Sequence, residues 1–164
     1  MFKLTIAVAL LAVCSCVVLA VREPAPAATA SSAKTYVFRL KPGQDLKQEL
    51  LAFVKRENLR AGVMVTCVGS LTKVSLRYAN QKEAATREGH FEIVSLVGML
   101  DPAGGHLHLS VADRDGVTFG GHLLDGCIVY TTAEIAIMEL TDVEFTREID
   151  ATYGYKELSV KPRR

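Results

Sequence analysis

The chain has 164 residues, 49% of them hydrophobic and 23% charged, a balance that supports a single folded domain and argues against a disordered chain. Nineteen Lys and Arg stand against 18 Asp and Glu. Setting aside Lys3, Arg22, Lys161, Arg163, Arg164 and Glu23 leaves 14 basic and 17 acidic residues over 34–160, a charge near −3, which argues against a strongly basic nucleic-acid binder.

Lys3 is followed by eighteen uncharged residues, Leu4 to Val21, that end at Arg22-Glu23. A short basic start, an apolar run and small residues at its end describe a secretory signal peptide over 1–21, cut after Ala20. The protein is then exported, either secreted or lumenal. The alternative is an uncleaved anchor of residues 4–21, which would hold the protein to a membrane. Residues 22–33 carry no large apolar side chain and read as a linker. The folded domain spans 34–150, and 151–164 form a polar C-terminal tail read as a frayed, solvated terminus.

Within the domain, Tyr36-Val37-Phe38-Arg39-Leu40 predicts a strand that stops at Lys41-Pro42-Gly43. Asp45 caps a helix with Leu46, Leu50, Phe53 and Val54 at helical spacing, ending near Asn58. Val63 to Val68 is a β-branched apolar run and predicts a strand buried on both faces, broken at Gly69-Ser70. Alternation resumes from Lys73 to Tyr78. A loop over 79–89 precedes a strand from Phe91 to Leu100 and a turn at 101–105. His106 to Ala112 and Val117 to Leu124 flank Asp113-Arg114-Asp115-Gly116, a hairpin signal. Cys127 to Thr131 and Asp142 to Glu148 predict further strands, with Ala133 to Leu140 a strand or a short helix-like crossing. Many strands with one helix make an α+β domain on an antiparallel or mixed sheet.

Several common chemistries lack support, because no GxxxxGK[ST], GxSxG, HExxH or CxxC occurs. Cys67 and Cys127 each lie in an apolar segment and read as buried thiols; in an exported chain a bond between them is the alternative. The informative residues are histidines. His106 and His108 form a His-x-His pair whose side chains share one face of a strand. His122 lies on the partner strand. With a four-residue turn, Ala112 opposes Val117 and His108 faces Gly121, so His122 points to the opposite face unless a bulge at Gly120-Gly121 re-aims it or a second subunit supplies the third ligand. Two strand-borne histidines plus a third suit Zn²⁺ or another borderline metal; the alternative is that they are core or interface residues with satisfied hydrogen bonds. Glu134 and Glu92 are acids within apolar sequence. Glu134 is the candidate second-shell partner or general base, and the alternative pairs each acid with an arginine such as Arg39 or Arg77.

Together these motifs resemble the plants-and-prokaryotes-conserved (PPC) domain over about residues 34–148. The resemblance is carried by Phe38-Arg39-Leu40 with Pro42-Gly43, Val68-Gly69-Ser70-Leu71, and Gly89-His90-Phe91-Glu92 through Gly98. It continues in His106-Leu107-His108-Leu109-Ser110, Gly120-Gly121-His122-Leu123, Gly126 and Thr132-Ala133-Glu134-Ile135. It implies a sandwich-like α+β domain that assembles as a homotrimer. Plant members carry AT-hooks and act in nuclear transcriptional control, but this chain has no Arg-Gly-Arg-Pro hook, and His90 stands where plant members usually have arginine. His106, His108 and His122 resemble the stand-alone prokaryotic branch, where these positions are associated with a bound metal, zinc being expected. The reading favoured is a trimeric module with a histidine metal site and an unidentified small-molecule ligand. The alternatives are a DNA-associated regulator, against which the charge speaks, and a zinc-dependent enzyme.

Overall fold

The computed structural model describes residues 28–163; the expected signal segment 1–21 lies outside them, as does half of the expected linker, 22–27. No helix among the described residues is long and apolar enough to cross a membrane.

The first strand, β1 (Ala33–Leu40), leads into α1 (Leu46–Arg56). Asp45 caps the helix as expected: its Oδ1 accepts from the Lys47 and Gln48 amides at 3.0 and 3.1 Å. Its Oδ2 accepts from the Gly126 amide at 2.6 Å, so one carboxylate starts the helix and ties it to the turn before β6. Leu46, Leu50, Phe53 and Val54 are buried, and Asn58 turns the chain out of the helix with φ +54°.

The rest is strand: β2 (Gly62–Arg77), β3 (Ala85–Asp101), β4 (Gly104–Ala112), β5 (Thr118–Leu123), β6 (Ile128–Leu140), β7 (Val143–Ile149) and β8 (Lys156–Pro162). The first six form one sheet in the order β1-β6-β2-β3-β4-β5. The far end of β2 also pairs with β5, through Leu76 with Leu123 and Arg77 with His122, so this half of the sheet closes on itself. The inward side chains of these strands and α1 make one core, with Leu71, Leu96, Leu109 and Ile135 fully buried. This is the expected α+β class, built on antiparallel strands with a single helix.

Two local expectations are corrected and an open one is decided. The run Val63 to Val68 neither ends at Gly69-Ser70 nor is buried on both faces: β2 continues to Arg77, and Val65 and Val68 are 54% and 55% exposed. Bulges against β6 re-aim the side chains. Gly69 has φ +151°, and a Cβ there would lie 2.0 Å from the Thr132 carbonyl oxygen, so this glycine carries the strand past β6 instead of breaking it. Ala133 to Leu140 belongs to β6, held between β1 and β2. The tail is not frayed, because Lys156–Pro162 pairs residue for residue with β7. Two ion pairs to buried carboxylates latch this hairpin down, Arg147 Nε to Asp101 Oδ2 at 2.9 Å and Arg163 Nη1 to Glu139 Oε1 at 3.1 Å. Cys67 and Cys127 are free and buried. Burial pushes their thiols up to about 12 and about 11, so both are inert at neutral pH.

Candidate metal centre

On β4 the alternation sends Leu107 and Leu109 inward and leaves His106 and His108 on the outer face. On β5 the observed register differs from the expected one by a single residue. Ala112 pairs with Thr118, and His108 pairs with His122 rather than Gly121. The cause is the turn, which takes Val117 into itself. The Asp113 carboxylate accepts from the amides of Asp115 and Val117 at 3.0 and 2.9 Å, the Asp113 amide donates to the Val117 carbonyl, and Gly116 adopts φ +79°. A one-residue shift turns every side chain of a strand to the other face. His122 therefore joins His106 and His108 with neither a bulge nor a second subunit. Gly121 serves the same end: a Cβ there would lie 2.8 Å from the Arg77 carbonyl oxygen, so only glycine lets β5 close against β2.

The three imidazoles converge. His106 Nε2 and His108 Nε2 are 3.1 Å apart, as are His108 Nε2 and His122 Nδ1. All three ligating nitrogens lie within 4.8 Å of one another. Tetrahedral Zn–N bonds of about 2.0–2.1 Å place two nitrogens roughly 3.3 Å apart, so the set is already near coordination spacing. Burial holds His106 and His122 below the ordinary imidazole range. The neighbouring charges of His108 and Arg147 add to the effect at His106, and those of Arg77 and His108 add to it at His122. Neutral imidazoles are the form that ligates a metal, and three of them leave a fourth tetrahedral position for another ligand.

Glu134 does not join this group. It is exposed on β6, paired in register with Arg39 and Val68, with β2 and β3 between it and β4. The Arg39 guanidinium bonds Thr132 Oγ1 at 2.9 Å instead. Glu92 is exposed on β3. Neither acid forms an ion pair with Arg39 or Arg77 among the described residues. The fourth histidine, His90, packs edge-on against Tyr130, 4.5 Å between ring centres. The residues that do surround the centre are ones the sequence reading did not assign to it: Arg77, across from His122 on β2, and Arg147 and Glu157 from the C-terminal hairpin. A cavity of about 550 Å³ opens beside His106 and His122, lined also by Lys47, Arg77, Asn80 and Tyr155 to Glu157. No local pattern marks these residues, because strand pairing and the hairpin's return bring them in.

A half-closed antiparallel sheet with one helix carries, on its outer face, a strand-borne trio of histidines that could hold a metal ion. Residues 27–141 match the Plants and Prokaryotes Conserved (PCC) domain, and the chain belongs to that family. A bifunctional protein GlmU from Synechococcus sp. is 46% identical over 139 residues, 85% of this chain and 22% of that protein. This chain thus spans about a fifth of such a curated relative. An AT-hook motif nuclear-localized protein of Arabidopsis thaliana is 32% identical over 97 residues, 54% of this chain and 23% of that one. Among solved structures, a protein from Salmonella enterica is 46% identical with a TM-score of 0.82, covering 83% of this chain and 99% of its own. A metal-containing protein from Archaeoglobus fulgidus shares the fold at 22% identity, with a TM-score of 0.67 over 80% of this chain and 98% of its own.

Proposed function

We propose that this chain is an exported, homotrimeric binding module that holds a zinc ion on His106, His108 and His122 and presents it to a small ligand. The observation that carries the reading is the convergence of three imidazole nitrogens, those of His106 and His122 each 3.1 Å from His108 and all within 4.8 Å of one another. The description of the Archaeoglobus protein as metal-containing supports it. His106 and His108 would bind the ion through Nε2 and His122 through Nδ1, and the ion would supply a Lewis-acidic centre. Glu157 lines the cavity beside His106 but lies outside the three-histidine group.

Self-association is supported by the uncovered outer face of the sheet. The β2–β3 register brings Val65 level with Val97 and Val68 level with Val94, and all four are more than half exposed. An apolar strip of this kind across central strands is characteristic of an interaction surface. Export rests on the apolar run from Leu4 to Val21. The names of the plant relatives favour a DNA-associated role. That role predicts affinity for duplex DNA that falls steeply with salt, and the acidic balance of the domain opposes it.

One preparation tests the reading. Protein recovered from an export-competent host is expected to begin near Val21, to scatter light as three chains, and to carry about one zinc per chain by elemental analysis. His106→Ala/His108→Ala is expected to carry none while keeping its fold, because both side chains are exposed. A monomer, a retained Met1, or zinc-free wild-type protein each refutes the corresponding part.

A further inference from the structure

We propose that the cavity beside His106 and His122 binds a small organic anion, a molecule bearing a carboxylate or a phosphate group. This names the ligand class of the site proposed above and rests on that reading for the metal side of the cavity only. Its wall carries Lys47, Arg77 and Lys156 against one acid, Glu157. The cavity is therefore cationic in a domain whose net charge is negative, and uneven charge of this kind attracts and orients anions.

Lys47 is already paired with Asp125 at 3.1 Å, but two arginines near the histidines are under-used. Arg77 meets no carboxylate among the described residues, and its Nη1 donates only to the Gln81 carbonyl, at 3.4 Å. Arg147 is held through Nε by Asp101, while its Nη2 is buried with no hydrogen-bond partner. A buried guanidinium N–H without an acceptor is costly and rare. Arg147 and His106 line the same two smaller depressions next to the main cavity. Two arginines with spare donors thus flank one trio of imidazoles, and planar oxyanions are the partners that guanidinium forks match. A volume of about 550 Å³ is in the range of small-molecule sites, roughly 300–1,000 Å³. Leu124 and Tyr155 on the wall favour an organic ligand over a bare ion.

The test is calorimetric titration of the full chain, zinc-loaded and chelator-stripped, with benzoate, phenyl phosphate and neutral benzamide. At least one anion is expected to bind ten times or more tighter than benzamide, and which one separates a carboxylate ligand from a phosphate. Arg77→Gln is expected to weaken that anion about tenfold with zinc content unchanged. Lys156→Gln, an exposed change that leaves the fold alone, should weaken it a few-fold. Anions that bind no better than benzamide to either form overturn the proposal, even with zinc present. If the wild type takes up no zinc, the metal reading fails by itself. Arg77-dependent anion binding to the metal-free protein then still supports the cavity assignment, and its absence overturns it.

Discussion

Gly98→Ala is expected to destabilise the domain by at least about 4 kcal/mol, a large part of the roughly 5–15 kcal/mol that holds a typical domain folded. Gly98 lies on β3 opposite Leu107, between the strand positions that face His106 and His108. Its φ is +141°, and a Cβ would stand 2.0 Å from the His106 carbonyl oxygen and 2.9 Å from the Leu107 Cα. Both obstacles are backbone, so no rotamer change relieves them, and β4 must move away from β3. The strand displaced is the one that carries two of the three imidazoles. Chemical denaturation with zinc analysis checks both effects. Gly43→Ala is the control: its φ is +83° but nothing lies within 4 Å of the added methyl, so it should cost about 1 kcal/mol. A Gly98→Ala protein as stable as that control would contradict the close packing of β3 on β4.

The second large effect is release by acid of the metal proposed for the histidine site. Burial and neighbouring positive charge hold His106 and His122 below their usual pKa. At pH 7 their lone pairs are therefore free, and protons begin to compete only below the ordinary value near 6.5. Once the pH falls under the lowered pKa values, each of these two imidazoles must shed a proton to ligate. These two sites alone should then lower the apparent affinity about a hundredfold per pH unit. The metal-free fold follows the same sign: the native state binds fewer protons than the unfolded chain, so this contribution is complete above about pH 6.5 and is lost as the pH falls toward the lowered values. Equilibrium dialysis at fixed free zinc between pH 7.5 and 5 measures it. Zinc affinity that does not weaken at all as the pH is lowered would show that these imidazoles are not the ligands.

Much of the centre is legible in the chain. His106 and His108 two apart in an apolar alternation must share a face, since a strand repeats every two residues. Asp45 followed by Leu46, Leu50, Phe53 and Val54 specifies a capped amphipathic helix in the same local way. The third ligand was harder. The residues 113–116 look like a complete turn, yet the Asp113 carboxylate gathers in Val117 as well, and that one extra residue decides which face His122 takes. The acid assigned to the centre, Glu134, stands among apolar residues because it lies on the outward side of β6, and alternation alone cannot say which outward residues end up near one another.

What the sequence determined by itself is therefore everything set within a few residues: the helix and its cap, the strand character of 106–112, the shared face of two histidines, and a set of family motifs in order. The tertiary structure alone decided the register of β5, the arrival of Arg77 beside His122, and the return of β8 that brings Glu157 to the centre. It also decided the exposure of Val65 and Val68. The reason is physical. Alternation and capping are short-range and depend on a residue's immediate neighbours. Strand pairing and sheet closure are chosen by packing among residues far apart in the chain, such as Arg77 with His122 and Arg147 with Asp101, and that choice leaves no local mark.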